Sequence, residues 1–219
     1  MCLRFVILGV VTTLRRDAER NRQRILEAAR EGFADRGLGI TLDEIARLAG
    51  VGVGTVYRRF PNKELLIDAL FEERIGEIVA LARRAAEDED AWRGLSGFLE
   101  GAVGRLASDR GLRELLVGST YAPERIVHGR SRIKPLVDDM VARAQAQGTL
   151  RADVGASDFP LLLMMLDAVV DTTRDIDPRT WRRALGIVLD GLKAPGTTEL
   201  PGAPLEVQQL EQAIRAWRP

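Results

Sequence analysis

Cysteine and histidine are almost missing from this chain: its 219 residues contain one of each, Cys2 and His128. A lone cysteine excludes an intramolecular disulfide framework, which makes the reducing cytoplasm the default compartment. One cysteine and one histidine cannot build a conventional zinc site. No nucleophile–base motif is present either, so the residues offer little chemistry to an enzyme and call for no metal or other cofactor. Aromatic residues are only 5% of the chain, whereas Ala, Leu, Arg and Glu dominate, which favours helix over sheet. Strand-like alternation, internal repeats and low-complexity tracts are also lacking.

No apolar run is long enough to span a bilayer, so no membrane partner is expected. The longest near the start, Phe5 to Val11, approaches a signal-peptide core in length. Yet a single Arg precedes it and no A-x-A-like cleavage site follows. Residues 1–14 read better as a disordered arm, or as the product of a start codon placed too early, than as an export signal.

Net charge is zero, but it is unevenly spread. Arg15 to Lys63 holds eleven Lys/Arg against seven Asp/Glu. Arg4 adds one further positive charge, and everything after Lys63 is acidic by the same margin. A basic end on an acidic body suits an anionic partner at one pole.

From Arg16 to Leu38 the apolar residues Ile25, Ala29 and Phe33 recur every four positions, an amphipathic helix ended by Gly37 and Gly39. Thr41-Leu-Asp-Glu44 is a capping box for a short second helix through Ala49. Asn62 caps a long helix from Lys63. Helices are then expected at about 90–108, 110–119, 123–147, 158–174 and 178–193, with a kink or break at Pro135 and an Asp177 cap before Pro178. Ala194 to Pro204, with three prolines and two glycines, reads as a linker before a short helix from Leu205 to Trp217.

Between the second helix and Asn62 lies "GVGVGTVYRRF", Gly50 to Phe60. Its alternate glycines suggest a phosphate loop, but that fails. Thr55 occupies the place of the last glycine in G-x-G-x-x-G, and the Gly-Lys-Ser/Thr of a Walker A loop is absent. The preceding element is a helix rather than a strand. A helix-turn-helix accommodates every glycine instead. Ala46 leaves room where two helices cross, and Gly50 supplies the positive φ of a tight turn. Gly52 is tolerated as the cap of a second helix from Val53 to Phe60, with Val51 and Val56 plugging the shared core.

That second helix presents Val53, Gly54, Thr55, Tyr57, Arg58 and Arg59 outward. Laid in a major groove, its early residues meet base edges. Thr55, Tyr57 and Lys63 offer donors to phosphate, as do the helix starts behind Thr41 and Asn62. Arg58 or Arg59 matches the O6 and N7 acceptors of guanine. The plainer alternative is a solvated face on an unrelated bundle.

The run "T-x-x-x-I-A-x-x-A-G-V" followed by "T-V-Y-x-x-F-x-x-K-x-x-L", within Arg22 to about Phe71, resembles the tetracycline-repressor (TetR) family of bacterial transcription regulators. The resemblance implies an all-α homodimer. Each copy would carry an N-terminal three-helix helix-turn-helix DNA-binding domain, followed by a larger helical ligand-binding and dimerisation domain. It places Val53, Gly54, Tyr57 and Arg58 where relatives touch bases, and Thr41, Thr55, Tyr57 and Lys63 where they hold phosphates. Gly52 stands where a serine cap is frequent, and Arg59 replaces a common histidine. The implied function is a repressor that leaves its palindromic double-stranded operator when a small-molecule effector binds. A helical small-molecule-binding or protein-docking module without operator binding is the alternative.

The resemblance ceases to inform near Glu72. The expected division is 15–62 for the DNA-binding domain, 63–193 for the effector and dimer domain, and 194–219 for the linker and tail. Pro160 to Val170 is apolar nearly all round, so that helix is core, pocket or dimer seam. Within it, Met164 suits either packing or an adaptable pocket wall. Asp167 must pair with an arginine, cap a cavity or receive a cationic ligand, because a bare buried carboxylate is costly. Trp92, Phe98 and Tyr121 are further pocket candidates, with core packing the competing role. Trp181, Leu185, Val188, Leu189 and Leu192 are expected to complete a four-helix dimer interface with 158–174.

Overall fold

The computed structural model describes residues 3–108, 123–196 and 198–216. Among them the chain is helical, with one isolated bridge, Leu150 to Lys193, as its only extended pairing. It divides into two compact units, Met1–Glu72 and Glu73–Pro219.

The first unit holds α1 (Leu3–Arg36), a 3-10 turn (Gly37–Gly39), α2 (Leu42–Ala49) and α3 (Val53–Arg59), and α4 (Lys63–Ala86) starts within it. Its core is Ile25, Ala29 and Phe33 of α1 against Ile45 and Ala46 of α2 and Val56 of α3, all essentially inaccessible to solvent. Gly32 permits this closeness, since a Cβ there would lie 2.5 Å from Ile40 Cδ1. Leu66, Ile67, Leu70 and Phe71 of α4 are buried as well. That is why the division falls at Glu72 rather than at Asn62, where the sequence alone suggested it.

α1 is also longer than the amphipathic pattern indicated. Residues 3–14 are helical and continuous with it; the stretch contains no proline, and Gly9 alone does not stop a helix.

The second unit contains the rest of α4, α5 (Ala91–Ser108), α6 (Pro123–Ala146), α7 (Asp158–Thr173), α8 (Thr180–Leu192) and α9 (Val207–Ala216). Residues 110–119, expected to be helical, lie outside the described residues. α5 is the central helix, packed by α6, α7 and α8. Its Leu95, Phe98, Leu99 and Val103 join Met140, Phe159, Leu166, Trp181 and Leu185 in one apolar core. Gly94 lies so near the end of α4 that a Cβ would clash with the Ala85 carbonyl at 2.2 Å. Arg143 of α6 completes this joint by donating to the carbonyls of Ala86 and Asp88, which helix ends leave without partners.

Two local expectations change. α6 runs through Pro135 without interruption. Proline removes the bond to the Ser131 carbonyl, but Ser131 and Pro135 both sit on the exposed face, where water can satisfy that oxygen. α8 begins at Thr180, because Asp177 caps an Asx turn: its Oδ1 accepts from Arg179 N at 2.9 Å, before regular helix starts.

Candidate nucleic-acid interface

The turn between α2 and α3 is built at Gly50. Its φ of 60° ends α2 in the left-handed region. Val51 N–H then bonds Ala46 O at 3.1 Å and Gly50 N–H bonds Arg47 O at 3.2 Å, the paired bonds of a Schellman end. Arg24 of α1 braces the same turn, with Nη2 donating to Gly50 O at 3.4 Å. On its far side Gly52, extended at ψ 140°, caps α3 with no side-chain bond.

α2 is set by a complete capping box. Thr41 Oγ1 accepts from Glu44 N at 3.3 Å, while Glu44 Oε2 takes the Thr41 amide at 2.9 Å and its hydroxyl at 2.8 Å. Those bonds, with Arg36 and Arg47 nearby, hold the Glu44 carboxyl below its ordinary range. Asn62 Oδ1 accepts from Leu65 N at 2.9 Å and so opens α4.

α3 therefore stands with Val56 fully buried beneath it and its outer face open. Val53, Gly54, Tyr57, Arg58 and Arg59 are exposed and Thr55 is half-buried. Lys63 lies at the edge, its Nζ 5.9 Å from the centre of the Phe33 ring, within cation–π range. Partial burial pulls its ammonium below the usual lysine value, against the pull of Glu64 and Glu44. Thr41 is exposed, but its hydroxyl proton is engaged by Glu44. The remaining donors are also held by neighbours. Arg58 lies back along its own helix, Nε on Gly54 O at 3.1 Å and Nη2 on Thr55 Oγ1 at 3.4 Å. Arg59 Nη2 is 3.8 Å from Glu19 Oε2 of α1. The negative charge of Asp43 of α2 is the main cause that raises the Tyr57 phenol above its ordinary value.

The candidate interface is thus Val53, Gly54, Tyr57, Arg58 and Arg59 exposed along α3, with Thr55 half-buried among them, Thr41 exposed before α2 and Lys63 half-buried at the start of α4. Glu19, Arg24 and Asp43 were not legible as members. Each reaches α3 or its turn from another helix, and no local spacing announces such contacts.

A family model described as "Bacterial regulatory proteins, tetR family" matches residues 25–70. A second, "Transcriptional regulator SbtR-like, C-terminal domain", matches residues 90–194. The chain is similar to the TetR transcription regulatory protein from Mycobacterium vanbaalenii, at 37% identity and TM-score 0.62, covering 83% of this chain and 99% of that one. The chain belongs to the TetR family. Among curated relatives, YhgD of Bacillus subtilis is 40% identical over 82 residues, 35% of this chain and 43% of its own. TtgR of Pseudomonas putida, an HTH-type transcriptional regulator, is 39% identical over 82 residues, 37% of this chain and 39% of its own. The chain thus matches about two-fifths of the length of each of these two relatives.

The TetR body is less obliging to the pocket candidates. Phe98 is core, 2% exposed. Trp92 is half-buried against that core, with Lys193 Nζ 5.9 Å from its ring centre. Met164 is half-buried and Asp167 is buried at 3% exposure. Tyr121 lies outside the described residues. Trp181, Leu185 and Leu192 also face inward, and so do not form an outer seam. The large apolar side chains exposed on α7 and α8 are Met165 and Ile187. Among the described residues no cluster of acidic, His and Cys side chains could hold a metal, and no helix is long and apolar enough to cross a membrane.

Proposed function

We propose that this TetR-family chain is a cytoplasmic repressor that binds a palindromic double-stranded operator as a homodimer and leaves it when a small-molecule effector binds the body. It works by binding alone and is not an enzyme. The observation that carries this reading is the Gly50 turn, which seats Val56 in the core and leaves Val53, Gly54, Tyr57, Arg58 and Arg59 exposed. Such a helix presents its early residues to base edges in a major groove. Thr41, Thr55, Tyr57 and Lys63 then serve as phosphate donors, and Arg58 and Arg59 unfold from their resting partners onto bases or backbone.

Homodimerisation is assigned to α7 and α8, where Met165 and Ile187 expose apolar area that a second copy covers, four helices in all. Two α3 helices must then sit about 34–36 Å apart to read successive major grooves. An effector coupling of roughly 1–3 kcal/mol is enough to shift operator occupancy.

Binding to duplex DNA across a salt series tests the core of this reading. Log affinity should fall linearly with log salt, and Lys63→Ala should reduce the slope by about one. Binding that ignores salt and tolerates both Tyr57→Ala and Lys63→Ala is the contrary result.

A further inference from the structure

α1 does more than close the core of the first unit: two of its side chains reach α3 and the turn before it. Arg24 Nη2 donates to Gly50 O at 3.4 Å, and Glu19 Oε2 lies 3.8 Å from Arg59 Nη2. At about 100° per residue, Glu19 and Arg24 mark the two edges of one outward sector of α1. Arg16, Arg20 and Gln23 fall inside that sector and are exposed, on the side away from the buried Ile25, Ala29 and Phe33.

The basic end of the chain is concentrated here. Arg16, Arg20, Arg22 and Arg24 are four of the eleven Lys/Arg between Arg15 and Lys63, whereas α3 itself carries two. Asp17 and Glu19 are the acidic residues between Arg16 and Arg24, and each is already engaged. Asp17 Oδ1 stands 3.7 Å from Arg20 Nη1, while Glu19 meets Arg22 at 3.7 Å and Gln23 at 3.3 Å as well as Arg59. Exposed pairs of this length contribute little, so a phosphate can take Arg20 from Asp17. Arg24, also exposed, spends one N–H on Gly50 O, and a guanidinium has five. A row of exposed arginines is often no more than a solvated face. This one differs in being continuous, through Gly50 and Arg59, with the helix that presents itself to DNA.

We propose that this sector of α1 is a second contact on the duplex, in which Arg16, Arg20 and Arg24 take backbone phosphates beside the groove that α3 enters. This rests on the DNA-binding reading above and deepens it. Successive arginines four residues apart rise about 6 Å along the helix. Because α3 occupies the groove, that row meets backbone rather than base edges. Contacts of this kind fix register and orientation but carry no base preference. The bond from Arg24 to Gly50 O couples the row to the turn that aims α3.

Binding of the full chain to a fluorescent duplex of random sequence, measured across a salt series, tests it. Arg16→Gln with Arg20→Gln removes two exposed charges and leaves the core untouched. The slope of log affinity against log salt should then be shallower than the parent's by about two, uniformly across sequences. Between about 50 and 200 mM salt this variant should therefore lose roughly tenfold less affinity than the parent. Arg83→Gln with Arg84→Gln removes the same charge from two exposed residues of the second unit and should leave the slope unchanged. An unaltered slope in the α1 variant, or an equal change in the control, overturns the proposal. So does a change in the sequence that the α1 variant selects from random duplexes, which would make these residues base readers. Lys63→Ala separates this proposal from the reading beneath it. A slope that responds to Lys63 but not to Arg16 and Arg20 sinks the α1 row alone. A parent whose binding ignores salt sinks the DNA reading with it.

Discussion

The carboxylate of Asp43 on α2 acts on the hydroxyl of Tyr57 on α3, and its negative charge is the main cause that raises the phenol above its ordinary value. Under the proposed role of Tyr57 as a phosphate donor, Asp43 competes for that donor and adds a negative charge beside it. Asp43→Asn is expected to tighten duplex binding by about threefold to tenfold, and most at low salt, where exposed charges are least screened. The same substitution should return the Tyr57 phenol towards its ordinary value, visible in an ultraviolet titration near pH 10. Unchanged affinity and an unchanged phenol titration would show that Asp43 does not restrain Tyr57.

The capping box makes a pH-dependent contribution whose sign follows from Glu44. Its carboxyl is held below the ordinary glutamate value, first by the Thr41 amide and then by the Thr41 hydroxyl. The unfolded chain therefore takes up this proton at higher pH than the folded one. The associated stability is present above the ordinary glutamate value and is lost as pH falls through the depressed one. Urea midpoints measured at neutral pH and near pH 3.5 should differ less for Glu44→Gln than for the parent. Thr41→Ala should lower stability at neutral pH by about 1 kcal/mol.

Gly50 and Gly52 should respond in opposite senses. Gly50→Ala places a Cβ in the left-handed region at φ 60° and 2.9 Å from Arg24 Nη2; a loss of about 1–2 kcal/mol is expected. Gly52 has an ordinary φ of −64°, and a Cβ there meets nothing nearer than Thr55 Oγ1 at 3.7 Å. Gly52→Ser therefore adds a capping oxygen to α3 and should stabilise by a few tenths of a kcal/mol. Thermal melts of the two variants check both directions.

The Arg151–Asp153 latch yields to proteolysis. Arg151→Ala removes the donors that hold Asp153, Gly191 O and Thr198 O together. Cleavage between residues 194 and 206 should accelerate several-fold, with the helical content of the rest retained. Equal cleavage rates in parent and variant would mean the segment is held by α9 alone.

The local chemistry of the head was legible residue by residue. Thr41 with Glu44, Gly50, Gly52 and Asn62 each act within three or four positions of themselves, and the spacing alone predicts each of them. What escaped is long-range. Arg24 meets Gly50, Asp43 meets Tyr57 and Arg151 meets Thr198 only after the helices pack. In the body, apolar periodicity identifies α7 and α8 but not which neighbour each face meets; Trp181 and Leu185 therefore turn out to be interior. Burying Leu66, Ile67, Leu70 and Phe71 in the first unit likewise shifts a boundary that the Asn62 cap marks only as a helix start.

Selection of bound fragments from random duplex DNA bears most directly on the regulator itself. Enrichment of a palindrome whose half-sites lie one helical turn apart is expected, with the enrichment lost in Tyr57→Ala and the half-site bases altered in Arg58→Ala. Recovery of no symmetric sequence, or of the same sequence at undiminished strength from both variants, would contradict α3 as the reading helix of a twofold dimer.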